Sequence, residues 1–244
     1  MERRERRRAF FQSFFLVAFL FSGCAGLKQC AYEGLSRDEW QQPQRVIQSL
    51  QIRPGATIAD LGAGSGYFTF PLAQAAGPTG KVYAVDIDND MTELVARKAK
   101  EQGLQNVEVI LAKPNDSLLP EGRVDLIFTS NTYHHIENRV AYFAALRKAL
   151  RPGGRVAVID FDRRSWFTGL LKHYTPSDFI KREMEQAGYR LAREFDFLDR
   201  QSFLLFEQPQ VGSKFNVQRP HVPTLNLKRE TLNGAERDTL NFKH

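Results

Sequence analysis

The densest chemistry in the chain lies in Asp60-Leu61-Gly62-Ala63-Gly64-Ser65-Gly66-Tyr67. Glycines let a backbone turn sharply and approach a ligand closely, and N–H groups at the start of a following helix favour electron-rich atoms. A dinucleotide-binding loop of the G-x-G-x-x-G kind needs glycine at position 67, where this chain has Tyr67. The spacing here is G-x-G-x-G, with an acid two residues before the first glycine. A second acid, Asp86, closes Val82-Tyr83-Ala84-Val85-Asp86, twenty residues beyond Gly66. A carboxylate at the end of a second strand can accept hydrogen bonds from both hydroxyls of a ribose. The third group is Ser130-Asn131-Thr132-Tyr133-His134-His135-Ile136. Imidazole titrates near neutrality and acts as a general base where an acceptor must lose a proton. His134 or His135 fits that role; alternatively, one caps the following helix and the other packs.

These residues need a frame, and the hydrophobic pattern supplies one. Strands are expected at Thr57–Leu61, Lys81–Asp86, Val107–Leu111, Val124–Ser130 and Arg155–Phe161. Helices are expected between them at Gly66–Ala76, Asp90–Gln102 and Glu137–Leu150, the last with Val140, Phe143, Leu146 and Leu150 as its buried stripe. Ser36-Arg37-Asp38-Glu39 is a capping box that starts an entry helix, and Pro54-Gly55 closes that segment. Leu150-Arg151-Pro152-Gly153-Gly154 reads as a helix stop and turn. A further helix opens with Thr175 as N-cap and Pro176 at its first position and ends at Gly188. Tyr189–Leu198 and Gln201–Glu207 then form a hairpin across Asp199-Arg200. Alternating strands and helices imply an α/β fold with a mostly parallel sheet covered on both faces. Ligands bind such sheets beyond the carboxyl ends of the strands, where all three groups fall.

The glycine loop, the two acids, Val124-Asp125-Leu126-Ile127-Phe128 and Leu150-Arg151-Pro152-Gly153-Gly154-Arg155 together resemble the class I S-adenosylmethionine-dependent methyltransferases. The resemblance spans about Ser36–Glu207 and is strongest to the small-molecule, ubiquinone-biosynthesis-like (type 11) branch. It implies a Rossmann-like seven-stranded sheet, mostly parallel, with a C-terminal antiparallel hairpin and helices on both faces. It implies S-adenosyl-L-methionine as cofactor and an enzyme that methylates a small molecule by in-line displacement. Carried onto this chain, Asp60, Gly62, Ala63, Gly64 and Gly66 hold the methionine part, Asp86 holds the ribose, and Ile87 packs on adenine. Asn115 or Asp116, in Ala112-Lys113-Pro114-Asn115-Asp116, meets the adenine amino group.

Asn131, Tyr133, His134 and His135 are the candidates for the acceptor side. Nucleobase and amide-nitrogen methyltransferases place Asn/Asp-Pro-Pro-Tyr at this point, and neither proline is present. Asp160, Asp162, His173, Tyr174, Trp40 and Trp166 are further candidate pocket members, each also explicable as loop or core. No metal site is expected.

The net charge of +6 suggests an acidic partner until it is divided along the chain. Residues 1–23 and residues 209–244 each carry +3, which leaves 23 basic and 23 acidic residues in the body. A neutral body and the missing prolines argue against nucleic acid. Arg3 to Arg8 precede an apolar run to Phe21, then Phe21-Ser22-Gly23-Cys24, which has the order of an export signal and resembles a lipoprotein box. Residues 1–30 are therefore expected to be a signal or membrane anchor, 31–208 the methyltransferase domain and 209–244 a disordered basic tail. Membrane association, with Cys24 as a lipid attachment point, is the expected location; the alternative is cytoplasmic. Both cysteines, Cys24 and Cys30, lie in that segment, so thiol-relay chemistry is excluded from the body. A monomer is expected. The second functional reading is a module that binds S-adenosylmethionine without turnover, because a domain carried across the membrane would leave the compartment where that cofactor is made.

Overall fold

The computed structural model describes residues 37–162 and 174–209. Helices α1 (Arg37–Gln41) and α2 (Pro43–Leu50) lead into an alternating α/β unit. It runs β1 (Thr57–Leu61), α3 (Thr69–Ala76), β2 (Lys81–Asp86), α4 (Asn89–Glu101), β3 (Val107–Leu111), β4 (Val124–Ser130), a 3₁₀ turn (Tyr133–His135), α5 (Arg139–Leu146), β5 (Leu150–Phe161), α6 (Ser177–Gln186), β6 (Arg190–Phe195) and β7 (Gln201–Glu207). The seven strands form one sheet in the order β3-β2-β1-β4-β5-β7-β6. The first five pair in parallel, and β7 runs antiparallel to both β5 and β6. This is the expected Rossmann-like sheet with its terminal hairpin.

The central strands are apolar on both sides because helices cover both faces. Ala59, Leu61, Ile127, Val156, Val158 and Leu204 pack on one face beneath Phe143, Leu146, Ile180 and Met184 of α5 and α6. Ile58, Val82, Leu126, Phe128, Ala157 and Phe203 pack on the other beneath Val46 and Leu50 of α2 and Leu72, Ala73 and Ala76 of α3. Alternation along β1 therefore sends Asp60 to the same side as Ile58, towards α3.

Several boundaries differ from the sequence expectation, each for a local reason. Helix α3 starts at Thr69, not Gly66. Gly66 has φ +86°, which is left-handed, and a start at 66 would put Pro71 in the helix interior, where it removes a hydrogen bond and clashes. With Thr69 first, Pro71 falls in the opening turn and is tolerated. Helix α5 spans only Arg139–Leu146: Asn138 (φ +48°) precedes it, and its C-terminal side tightens into i→i−3 bonds such as Ala149 N–H to Leu146 C=O, 3.0 Å. Leu150 already pairs with Val124, so Pro152-Gly153-Gly154 sits in a bulge within β5 and not between elements. Helix α6 begins one residue late, with Pro176 in the cap position. The hairpin connection is five residues, 196–200, because Leu198 leaves the strand to be fully buried.

The N-terminal segment with Cys24 and Cys30, Ser36 of the capping box, Trp166, His173 and the basic tail beyond Pro209 lie outside the described residues. Among the described residues, no helix is long and apolar enough to cross a membrane.

Candidate active site

The carboxyl ends of β1, β2, β4 and β5 converge on two cavities that share Gly62, Gly64, Asn131, Thr132 and His135. The larger, about 740 Å³, is lined by Asp86, Ile87, Pro114, Asn115, Ile136 and Tyr142, among others. The smaller, about 270 Å³, includes Arg37, Trp40, Asp60, Ser65, His134 and Phe161.

The glycine loop is set by close packing. Gly62 and Ala63 both donate their N–H groups to Val85 C=O, at 2.8 and 3.1 Å, which pins the loop to the end of β2. Gly62 has φ +75°, and a Cβ there would lie 2.1 Å from Thr132 Oγ1. No side chain fits between β1 and the loop after β4. The loop is then tied to the second acid: Gly64 N–H donates to Asp86 Oδ2 at 2.7 Å, and Asp88 N–H to Oδ1 at 3.0 Å. Each of those oxygens keeps a second lone pair.

Asp60 is almost wholly buried and accepts from Thr69 Oγ1 at 2.6 Å. Burial pushes its carboxyl up to about 7, against the Thr69 bond; the Asp86 charge raises it further and Arg37 lowers it. Ser65 Oγ, in the same loop, is buried with no hydrogen-bond partner.

On the opposite side, Asp160 at the end of β5 is fully buried. Its Oδ1 lies 2.7 Å from His134 Nδ1, its Oδ2 accepts His134 N–H at 2.9 Å, and Phe161 N–H donates to Oδ1 at 2.8 Å. The His134 and His135 rings are 4.0 Å apart. Trp40 packs on Phe161 at 5.7 Å. Asn131 is left-handed (φ +57°), and its Oδ1 accepts from Gln201 Nε2.

Two candidate site residues fall elsewhere. Tyr133 is fully buried in the core, and its hydroxyl donates to Glu183 Oε2 at 2.8 Å. It lines neither cavity, because the 3₁₀ turn points it towards α6. Asp116 turns back to accept from Leu118 N–H at 3.0 Å and lies outside the larger cavity, whereas Asn115 lines it. Of the two, Asn115 is the one that borders the larger cavity.

Residues 52–196 match the family model described as a methyltransferase domain. The chain belongs to this methyltransferase domain family. Nocamycin O-methyltransferase from Saccharothrix syringae is 33% identical over 150 residues, covering 60% of this chain and 54% of that protein. The ubiquinone/menaquinone biosynthesis C-methyltransferase of Shewanella pealeana is 29% identical over 119 residues, covering 48% of this chain and 47% of that protein. The chain thus spans about half the length of these curated relatives. A solved S-adenosylmethionine-dependent methyltransferase from Aquifex aeolicus superposes with a TM-score of 0.70 at 25% identity, covering 77% of this chain and all of that one.

The cofactor of this methyltransferase domain is S-adenosylmethionine, and three features of the chain fit it. Asp86 keeps lone pairs at the mouth of the larger cavity. Ile87 is 62% exposed beside that cavity, an unpaired apolar surface of the kind a flat purine covers. The orphaned Ser65 hydroxyl lines the smaller cavity and lacks a partner that a ligand can provide. Among the described residues, no group of three or more His, Cys, Asp or Glu side chains could hold a metal ion.

Sequence reasoning passed over Arg37, Ser65, Thr69 and Thr132. Arg37 was masked by the capping signal around it, and Ser65 by the glycines on either side. Thr132 gives no local signal; only the packing against Gly62 reveals it.

Proposed function

We propose that the protein transfers the methyl group of S-adenosylmethionine to a small-molecule acceptor that loses a proton in the reaction. The observation that carries this reading is the meeting of two cavities at the glycine loop, one beside Asp86 and Ile87, the other beside His134 and Phe161. When bound, the cofactor supplies an activated electrophilic methyl carbon on a sulfonium sulfur. The chain's own contribution is then position, exclusion of water and management of one proton.

Asp86, Gly64 and Ile87 hold the nucleoside, and Asn115 meets the adenine edge. Asp60 and the loop Gly62, Ala63, Gly64 and Gly66 hold the amino-acid end. Trp40 and Phe161 give the acceptor a flat apolar wall. His134 takes the acceptor's proton at Nε2, while Asp160 fixes its Nδ1–H tautomer and offsets the imidazolium charge that results. His135, which is exposed and reaches both cavities, borders the acceptor path. A planar phenol or quinol suits this combination of walls and base. The two methyltransferase relatives that act at O and at C support an acceptor of low mass.

The test is release of S-adenosylhomocysteine from labelled S-adenosylmethionine across a panel of phenols and quinols. Turnover with at least one, lost in His134→Ala, is expected; cofactor binding without turnover on any acceptor in a cell extract would favour the module without catalysis.

We further propose that residues 1–30 attach the domain to a membrane, which the charged-then-apolar order ending at Cys24 supports. Mass spectrometry of the native N-terminus is expected to find an acylated Cys24; an unprocessed Met1 would count against it.

A further inference from the structure

Gly62, Gly64, Asn131, Thr132 and His135 border both cavities, so they surround the point where a methyl group passes from donor to acceptor. The two glycines offer no side chain, and the Thr132 hydroxyl turns back to Ser130 C=O at 3.2 Å. Asn131 is different. Its backbone is left-handed (φ +57°), a conformation few residues other than glycine adopt, although Asn is among them. Its N–H donates to Ile159 C=O at 2.9 Å, which pins the turn to β5.

The Asn131 side chain is held from behind. Gln201 opens β7, is fully buried, and pairs with Phe161 across the β5–β7 ladder. Its Nε2 donates to Asn131 Oδ1. A primary amide carries one carbonyl acceptor and one NH₂ donor group. With the carbonyl turned to Gln201, the donor group is what Asn131 presents to a ligand; among the described residues, Nδ2 has no hydrogen-bond partner. His134, held by Asp160, lines the same smaller cavity. A fixed donor beside a base suits an oxygen nucleophile, whose lone pairs accept a hydrogen bond while its proton leaves. An amine acceptor brings N–H bonds of its own and meets a second donor where it needs a carbonyl.

We propose that Asn131 is the specificity residue for the acceptor: its Nδ2–H donates to the reacting oxygen, so the protein methylates hydroxyl groups in preference to amines. Gln201 is a positioning residue that sets which end of the Asn131 amide faces the acceptor. The inference rests on methyl transfer at this site and names the atom that receives the methyl group. The acceptor oxygen forms its bond to the methyl carbon as the carbon–sulfur bond breaks, that bond's electron pair goes to sulfur, and the O–H proton goes to His134 Nε2.

The test compares kcat/KM on matched phenols and anilines. Asn131→Asp keeps an oxygen for Gln201 but replaces the donor with a carboxylate oxygen. It should lower kcat/KM for phenols by about a hundredfold, the scale of one lost oxyanion donor, and change anilines by less than about threefold. Gln201→Met should lower phenol turnover by about tenfold with S-adenosylhomocysteine affinity unchanged. A readout without turnover uses 4-nitrophenol, whose anion absorbs visible light, bound beside S-adenosylhomocysteine. Its ionisation should move up by about one pH unit in Asn131→Gly, which removes the donor without adding a charge. Arg37, Asp60, His134 and His135, the charged and titratable side chains that line the smaller cavity beside Tyr67, are unaltered in every variant. Equal losses on phenols and anilines would mark a structural role and overturn the proposal. So would phenol turnover and 4-nitrophenol ionisation indifferent to Asn131, or an unaltered protein that methylates anilines and not phenols. If no acceptor of either kind led to release of S-adenosylhomocysteine, methyl transfer itself would fall, and the inference with it.

Discussion

The imidazole of His134 and the carboxylate of Asp160 are joined twice. Nδ1 lies 2.7 Å from Oδ1, and the His134 backbone N–H donates to Oδ2 at 2.9 Å. The turn after β4 and the end of β5 are thereby locked together by one buried acid, which orients the imidazole as well as holding its backbone. Asp160→Asn should keep the backbone bond but present an amide N–H or a neutral oxygen to Nδ1. Methyl transfer should fall by about a hundredfold, the scale of a general base placed in the wrong state. The affinity for S-adenosylhomocysteine should stay the same. Steady-state rates beside calorimetry, with ¹⁵N spectra of the imidazole to read the tautomer, check this.

Asp60 should make cofactor binding depend on pH. Its carboxyl is pushed up to about 7 by burial, and an ammonium group binds only the ionised form well. Affinity should therefore rise with pH through about 7 and level off above it; calorimetry on either side of that value measures the slope.

The same residue should trade stability against binding. Its folded-state value lies above the ordinary 3.8, so between 3.8 and about 7 the folded protein keeps a proton that the unfolded chain has released. Stability falls as pH rises across that window, and the loss is complete above it. Asp60→Asn should remove the loss, raising stability above neutrality by up to about 4 kcal/mol and little at acid pH. It should at the same time weaken S-adenosylhomocysteine. Urea unfolding at two pH values tests the first half.

Gly62→Ala should destabilise the fold and abolish cofactor binding. The residue has φ +75°, and the added methyl would meet Thr132 Oγ1 at 2.1 Å. Left-handed strain alone costs about 1–3 kcal/mol, and the overlap adds to it. Thr132→Ala should recover only part of the loss, because Thr132 Cβ itself would lie at 2.7 Å. Thermal unfolding of the single and double variants measures this.

Tyr133→Phe should leave turnover and cofactor affinity unchanged. The hydroxyl serves Glu183, which Arg139 also holds through two bonds of 2.8 Å. Loss of one of the three bonds to Glu183 should cost about 1 kcal/mol in urea unfolding.

What was legible in the sequence followed from strong periodicity. The strands from β1 to β4 and the hairpin strand β7 were placed by their apolar runs, and the loop and both acids by spacing. The boundaries that moved were decided by backbone geometry: Pro71 delays α3, and the left-handed Asn138 delays α5. Tyr133 misled because its neighbours face the site while a 3₁₀ turn rotates it into the core. Asp160 was visible as a strand-end acid, but its pairing with His134 arises only from the parallel register of β4 and β5, where Ser130 lies beside Ile159. Arg37 depended on an entry helix folding back over the loop, a contact no local pattern encodes.

The central claim is that the Asp86 end of β2 and the glycine loop bind S-adenosylmethionine. Calorimetric titration of the protein and of Asp86→Ala tests it most directly. The account predicts binding at one site per chain and a loss of about tenfold or more in the variant, the scale of a carboxylate's charged hydrogen bonds. No heat of binding by the unaltered protein, or an affinity indifferent to Asp86→Ala, would contradict it.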